Sequence, residues 1–117
     1  MKTVIFDVVP VEEMKQRSKR RIVAALAGTR QPSRISFASA ELMFRTMTGN
    51  RWNMVRAMAG AGPMGVRELA RRLKRDVKAV HTDAAALLSA GILRRTEARQ
   101  IEFPYDAVHV DFVVKVA

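Results

Sequence analysis

The sequence predicts an α+β fold that is mainly helical, with short strands toward both ends of the chain. Apolar residues recur at helical spacing from Val66 to Leu73 and again from Val77 to Leu88. After Gly91 the pattern changes to that of strands, and residues 2–9 are rich in Val, Ile and Phe. The expected architecture therefore has helices at its centre and strands at its margins.

Composition restricts the classes of protein to which the chain can belong. Its 117 residues, 49% of them hydrophobic, suffice for one domain with a single core. The absence of cysteine excludes a disulfide framework and a thiolate metal site, and it fits a reducing cytosol. No apolar run is long enough to span a bilayer, and the first residues lack the pattern of a signal peptide. We therefore expect a cytoplasmic protein without a membrane partner.

The charge balance points to an anionic partner. The formal net charge is +10, from 21 Lys and Arg against 11 Asp and Glu, and most of the basic residues are arginines. The planar guanidinium donates paired hydrogen bonds to phosphate and to guanine. Such a charge on a small domain favours binding to a polyanion, although a solubilising surface would have the same composition.

The centre of the sequence predicts two helices separated by a short turn. The first covers Val66 to Leu73, and the second begins at Val77, after three residues. Asp76 is a suitable N-cap for the second helix, and Gly91 supplies its left-handed stop. Helix, three-residue turn and helix is the helix-turn-helix arrangement, whose second helix can lie in the major groove of DNA.

The N-terminal third has weaker signals. Residues 2–9 predict a strand that Pro10 stops, and residues 11–27 predict a helix with a basic middle. This helix is either a solvated arm of a dimer or a second contact to the DNA backbone. Residues 28–36 combine Gly, Pro and two serines, which is typical of a linker. Residues 1–36 are accordingly predicted to be an arm for dimerisation or for a partner, and residues 37–117 to be the DNA-binding domain.

Two more helices and a C-terminal β region complete the domain. One helix should start after Ser39, and Thr48 should cap the next, which joins the central pair as a three-helix core. Residues 92–103 predict a hairpin, or wing, that turns near Glu97 to Arg99. The last strand alternates from Val108 to Val116 and should pair with the first strand, within one chain or between two chains of a dimer.

Several of these positions carry a family resemblance. Leu69-Ala70-x-x-Leu73, Val80, Leu87 and Gly91-Ile92-Leu93 resemble the core of MarR-like winged helix-turn-helix regulators. More narrowly, Gly62-Pro63, Val66-Arg67-Glu68-Leu69-Ala70, Asp76-Val77-Lys78-Ala79-Val80-His81 and Phe103-Pro104-Tyr105 resemble a group of small prokaryotic regulators described as antitoxin-like. The resemblance spans about Thr48 to Val116. It implies a homodimeric, nucleoid-associated transcriptional regulator, with a small toxin as a further partner. Arg75 departs from the pattern, because many such turns have an apolar residue there.

The second helix of the pair holds the residues expected to read DNA. Lys78 can reach phosphate or guanine, and Thr82 can bond a base or touch a thymine methyl group. Asp83 would repel phosphate, so we expect it to pair with Arg75 or Lys78. Backbone contacts are expected from the helix before the turn and from the wing. The complete set of expected DNA-binding residues is Arg67, Arg71, Arg72, Lys74, Arg75, Lys78, Ala79, His81, Thr82, Arg94, Arg95 and Arg99.

No pattern of residues indicates catalysis. The sequence contains no nucleophile elbow, no phosphate-binding glycine loop and no paired acidic constellation. His81 and His109 lie in different elements, without the spacing of metal ligands. We therefore expect no enzyme, no cofactor and no metal, and double-stranded DNA as the partner. A non-catalytic RNA-binding or assembly module, and a domain that binds only protein, remain alternatives.

Overall fold

The computed structural model describes residues 1–28, 32–114 and 116. It is an α+β structure, as expected, with five helices and two small sheets in the described part of the chain. In chain order the elements are β1 (Thr3–Val8), α1 (Val11–Leu26), β2 (Ser33–Phe37), α2 (Ala40–Thr46), α3 (Gly49–Met58), α4 (Val66–Leu73), α5 (Val77–Ser89), β3 (Arg94–Arg95), β4 (Ile101–Glu102) and β5 (Ala107–Asp111). None of the helices described is long and apolar enough to cross a membrane.

The larger sheet has β1 at its centre. Its order is β2-β1-β5, and both neighbours run parallel to β1. Val4 therefore pairs with Ser33 on one side and with Val108 on the other. Helix α1 makes the crossover from β1 to β2 that a parallel pair requires. The expected pairing of the first and last strands is confirmed, and it occurs within one chain.

Two sequence predictions about this sheet were wrong. Residues 33–36 were predicted to be linker but belong to β2, because β1 supplies backbone hydrogen-bond partners that the local composition does not reveal. Residues 29–31 of the predicted linker lie outside the described residues. The last strand was expected to continue to Val116, but it ends at Asp111, which pairs with Asp7 near the end of β1. Pro10 follows β1 and has no N–H to continue the ladder. Val113 and Val114 are accordingly exposed.

One hydrophobic core joins β1 to the helices. The ring of Phe6 lies 5.8 Å from that of Trp52 in α3 and 5.7 Å from that of Phe37 in β2, measured between centroids. Phe6 has no exposed surface. The division predicted between residues 36 and 37 falls inside β2, and β1 shares the core of α3, α4 and α5. Five methionines are buried in this core: Met43, Met47, Met54, Met58 and Met64.

Helix α1 lies outside this core. It has no fully buried residue, and Ile22, Val23 and Leu26 are exposed. Because the side chains of a strand alternate between faces, Val4 and Phe6 face the core while Asp7 faces the other side. Asp7 bonds to Arg17 of α1, and this ion pair ties the helix to the sheet.

Candidate nucleic-acid interface

Helix α4 has one apolar and one basic side. Leu69 and Ala70 are buried, whereas Arg67, Arg71 and Arg72 are exposed. The spacing of the buried residues corresponds to the predicted stripe. The basic side of α4 therefore faces solvent beside the turn.

The turn after α4 places a lysine in a left-handed conformation. Lys74 has φ 54° and ψ 45°, a region that glycine adopts without strain. Its N–H donates to the carbonyl of Arg71 at 3.2 Å, and the N–H of Arg75 donates to that of Ala70 at 3.1 Å. These two bonds form a Schellman motif, which ends α4 and redirects the chain into α5.

The predicted start and stop of α5 are both confirmed. The carboxylate of Asp76 accepts a hydrogen bond from the N–H of Ala79 at 3.1 Å. At the other end Gly91 has φ 77°, and the N–H of Ile92 donates to the carbonyl of Leu87 at 2.9 Å. Local capping thus fixes both ends of the helix.

The N-terminal half of α5 presents an exposed face. Val80, Ala84 and Leu87 are buried, while Lys78, Ala79, His81 and Thr82 are exposed. Val77, which was expected on the buried stripe, is 43% exposed because it stands in the first turn. The hydroxyl of Thr82 donates to the carbonyl of Lys78 at 3.1 Å, which leaves its oxygen able to accept.

The acid of α5 is neutralised from two directions. Asp83 accepts from Nη2 of Arg75 at 2.9 Å and from Nε of Arg51 at 3.1 Å. Of the two partners expected for Asp83, Arg75 is confirmed. Arg51 also donates to the carbonyl of Thr46 at 3.0 Å. The sequence prediction missed Arg51. Its signal was a cation in the first turn of α3, where the helix dipole disfavours positive charge unless a specific anion is near.

This pairing directs Arg75 inward. Its side chain is only 24% exposed, and its Nη1 is buried without a hydrogen-bond partner among the described residues. The ion pair with Asp83 thus accommodates the charge of Arg75 in a partly buried position of the turn. Arg75 is the only one of the twelve expected DNA-binding residues that is partly buried, and the others are exposed.

The predicted hairpin is present as β3 and β4. The N–H of Thr96 donates to the carbonyl of Gln100 at 2.8 Å, and the N–H of Arg99 donates to that of Thr96 at 3.1 Å. Arg99 has φ 61°, so an arginine occupies the left-handed position that glycine usually takes in such a turn. Ile101 forms a bridge with Met64, through N–H···O bonds of 2.9 Å in both directions. This bridge attaches the hairpin to the segment before α4.

The hairpin lies next to the exposed face of α5. A small cleft of about 70 Å³ separates the two elements. It is lined by Val66, His81, Ala84, Ala85, Leu88 and Arg95. The side chains of Arg95 and His81 therefore border the same space, and two segments that are distant in the sequence form one surface.

Ion pairs divide the cations of this surface into two groups. Glu68 pairs with both Arg71 and Arg72, and Glu102 pairs with Arg94. These arginines remain exposed, so their other N–H groups can still donate. A second group is exposed and has no ion pair within the described part of the chain: Arg67, Lys74, Lys78, Arg95 and Arg99.

Residues 46–110 match the HVO_A0114 family, and they make up more than half of the chain. The chain belongs to this family. The HVO_A0114 match includes α3, α4, α5 and the hairpin, and it leaves β1, α1 and β2 outside. No curated protein and no solved structure gives a significant match. In the part of the chain that the structure describes, no group of three or more His, Cys, Asp or Glu could hold a metal ion.

Proposed function

We propose that this HVO_A0114 protein is a sequence-specific double-stranded DNA-binding regulator of transcription. In this proposal α4 and α5 are a helix-turn-helix and the β3–β4 hairpin is its wing, in a MarR-like arrangement. The observation that carries the proposal is the shared cleft of His81 and Arg95, because it joins the exposed face of α5 to the basic hairpin. A recognition helix and a wing meet a duplex together in this way.

The exposed residues of α5 suit contact with bases. Lys78 can donate to the guanine edge, and His81 can donate to an acceptor on a base or phosphate. Ala79 and Thr82 are small, so they permit close approach to the groove. Asp83, which would repel phosphate, is held by Arg51 and Arg75. The charge of Asp83 is thus compensated, and the carboxylate of Asp76 at the N-cap accepts from the N–H of Ala79 at 3.1 Å.

The surrounding cations suit contact with phosphate. Five exposed cations lack an internal ion pair among the described residues, and they lie on α4, the turn, α5 and the hairpin. Each phosphate that is neutralised adds about 0.9 to the magnitude of the slope of log K against log salt. If all five engage, we expect a slope of about −4 to −5 per subunit. Binding should therefore weaken steeply as salt rises.

The proposal includes a homodimer that represses its own gene at the nucleoid. Two copies of α5 would enter successive major grooves, about 34 Å apart along the duplex. The edge strands β2 and β5 and the exposed apolar residues of α1 offer surface for a second copy. Sedimentation equilibrium would test the proposed homodimer, and a protein that remains monomeric both alone and on DNA would contradict it.

The test of the main proposal is a comparison of DNA sequences. The full chain is titrated onto the DNA upstream of its own gene and onto a random duplex of equal length, across a series of salt concentrations. We expect the upstream DNA to be preferred by at least about a thousandfold. Equal binding to both duplexes would remove the regulator and leave a non-specific basic protein.

Substitution on α5 separates the proposal from an RNA-binding or assembly module. Replacing Lys78 and Thr82 should change the preferred DNA sequence of a regulator. In an RNA-binding module the same change would weaken all nucleic acids uniformly. A domain that binds only protein would show no salt-dependent binding to nucleic acid.

A narrower form of the proposal makes the protein an antitoxin. The resemblance to antitoxin-like regulators supports it, with a small toxin bound outside the DNA-binding surface. Co-expression with the product of the neighbouring gene is the test. The absence of both a stable complex and a rescue of growth would remove the toxin partner without affecting the DNA-binding proposal.

A further inference from the structure

A second basic site lies on the face of β1 that points away from the hydrophobic core. A cleft of about 310 Å³ between α1 and β2 is lined by Arg17, Arg20, Arg21, Ala24 and Arg34. A neighbouring cleft of about 230 Å³ shares three of these arginines. The volume of the larger cleft is at the lower end of the range for small-molecule sites. Four guanidinium groups therefore border one small space outside the surface of α5.

The carboxylate of Asp7 fixes two of the four arginines. Its Oδ2 accepts from Nη1 of Arg17 at 3.0 Å and from Nη1 of Arg34 at 2.8 Å, and Ser36 donates to its Oδ1. Asp7 is 5% exposed, so the anchor is buried. Each guanidinium has five N–H donors, and Asp7 engages one nitrogen of each. Arg17 and Arg34 are thus held in place with donors remaining.

Asp7 forms no ion pair with Arg20 or Arg21, the other two arginines of the cleft. Arg20 and Arg21 are exposed and have no ion pair among the described residues. They stand three and four positions after Arg17, so all three positive charges lie on one face of α1 and repel one another. Among the described residues, no acidic side chain belongs to the lining of either cleft. Arg21 donates a long hydrogen bond of 3.5 Å to the carbonyl of Pro32, which leaves its charge uncompensated. The repulsion between these like charges is relieved when an anion binds.

We propose that the cleft between α1 and β2 binds a small phosphate-bearing anion, of the di- or triphosphate class. Several guanidinium groups around one cleft match the oxygens of a phosphate chain, to which arginine donates paired hydrogen bonds. The described lining of the cleft contains no aromatic side chain, so recognition rests on phosphate and not on stacking with a nucleobase.

The location favours a free anion over the backbone of a duplex. Phe6 faces the core that supports α5, while Asp7, next in the strand, faces the cleft. The sheet therefore stands between the arginines and the helical core. The cleft also lies outside residues 46–110, the segment that matches the family. The proposal does not depend on DNA binding by α5.

The test uses the full chain and two simple probes. Pyrophosphate and tripolyphosphate are titrated by calorimetry, with chloride and sulfate at matched ionic strength as reference anions. We expect saturable binding of the phosphate chains, together with a rise in the melting temperature. The double variant Arg20→Ala/Arg21→Ala should lower the affinity at least about tenfold, since it removes two charge-assisted donors.

A matched control separates the site from general charge. The double variant Arg45→Ala/Arg56→Ala removes the same charge from exposed positions on α2 and α3 and should bind as the wild type does. Equal loss in both double variants, or no saturable binding at all, would overturn the proposal. Loss of random-duplex affinity in the α1 variant, without any binding of the phosphate chains, would instead assign the cleft to the DNA backbone and also overturn it.

Discussion

Asp83 accepts a hydrogen bond from Arg75 at 2.9 Å, which joins the turn after α4 to the middle of α5. The same carboxylate accepts from Arg51 of α3 at 3.1 Å, so one acid of α5 links that helix to α3 and to the turn after α4. All three side chains are mostly buried. The acid that appears unfavourable for DNA binding in the sequence is therefore a structural element beneath the proposed interface.

Replacing this acid should destabilise the protein. Asp83→Asn leaves two largely buried guanidinium groups without their anion, and we expect a loss of about 2 to 4 kcal/mol in the free energy of unfolding. Urea denaturation followed by circular dichroism measures it. Glu97→Gln is the control, because Glu97 is exposed at the hairpin turn and has no ion pair among the described residues. Equal stability of the two variants would show that the network contributes nothing.

Lys78 and Thr82 should affect DNA binding in different ways. Lys78→Ala removes a charge, so it should reduce the magnitude of the salt slope by up to about 0.9 per subunit. Thr82→Ala should leave the slope unchanged and alter the preference at one base pair by about 1 to 3 kcal/mol. Binding selection from a randomised duplex library, repeated at two salt concentrations, distinguishes them. Identical profiles for both variants would contradict their placement in a groove.

Arg99 should show opposite effects on folding and on binding. Its φ of 61° is strained for arginine, so Arg99→Gly should stabilise the fold by about 1 kcal/mol while weakening binding to any duplex. Ala98→Gly in the same turn is the control. Ala98 does not have a positive φ, so glycine there should be neutral or slightly destabilising. Thermal melting and fluorescence anisotropy provide the two readouts.

A lysine-to-glycine change should have opposite signs at two positions four residues apart. Lys74→Gly relieves a φ of 54° at the end of α4 and should raise the free energy of unfolding by about 1 kcal/mol. Lys78→Gly lies within α5 and should lower it by about 1 kcal/mol. Chemical denaturation of the two variants measures both. A lower free energy of unfolding for Lys74→Gly would contradict the prediction, because it would show that the lysine side chain stabilises the fold by more than its positive φ destabilises it.

Removing the ring of Phe6 tests whether the N-terminal strand belongs to the cooperative core. Phe6→Ala should cost about 3 to 5 kcal/mol, because the ring is fully buried between Trp52 and Phe37. Val110→Ala, on the exposed part of β5, should cost less than about 1 kcal/mol. Trp52 fluorescence and circular dichroism should give a single coincident transition in the wild type. Two separate transitions would instead indicate that residues 1–36 fold as an independent arm.

The caps and ends of the helices could be predicted because their signals are local. Ser39, Thr48 and Asp76 each accept a hydrogen bond from the backbone three residues ahead, and Gly91 adopts the left-handed conformation that its position indicates. The apolar stripe of α4 could be predicted from the helical period of its apolar residues alone. For the same reason the exposed residues of α5 could be named from their spacing alone.

The partners of buried charges could not be predicted in this way. Asp83 had two candidate partners in the sequence, and the structure selects Arg75 and adds Arg51, which lies 32 positions earlier. Asp7 likewise meets Arg17 and Arg34 from two different elements. Such pairs depend on how helices and strands approach one another, and no local pattern records that approach.

The sequence by itself determined where α4 and α5 begin and end and which side of α4 is apolar, since these follow from capping and periodicity within a few residues. Only the tertiary structure decided that residues 33–37 form a strand, that β1 lies between two parallel neighbours, and that Arg95 and His81 line one cleft. The reason is that strand pairing and surface assembly join segments that are distant along the chain. Their hydrogen bonds and contacts exist only after the core around Phe6 has formed.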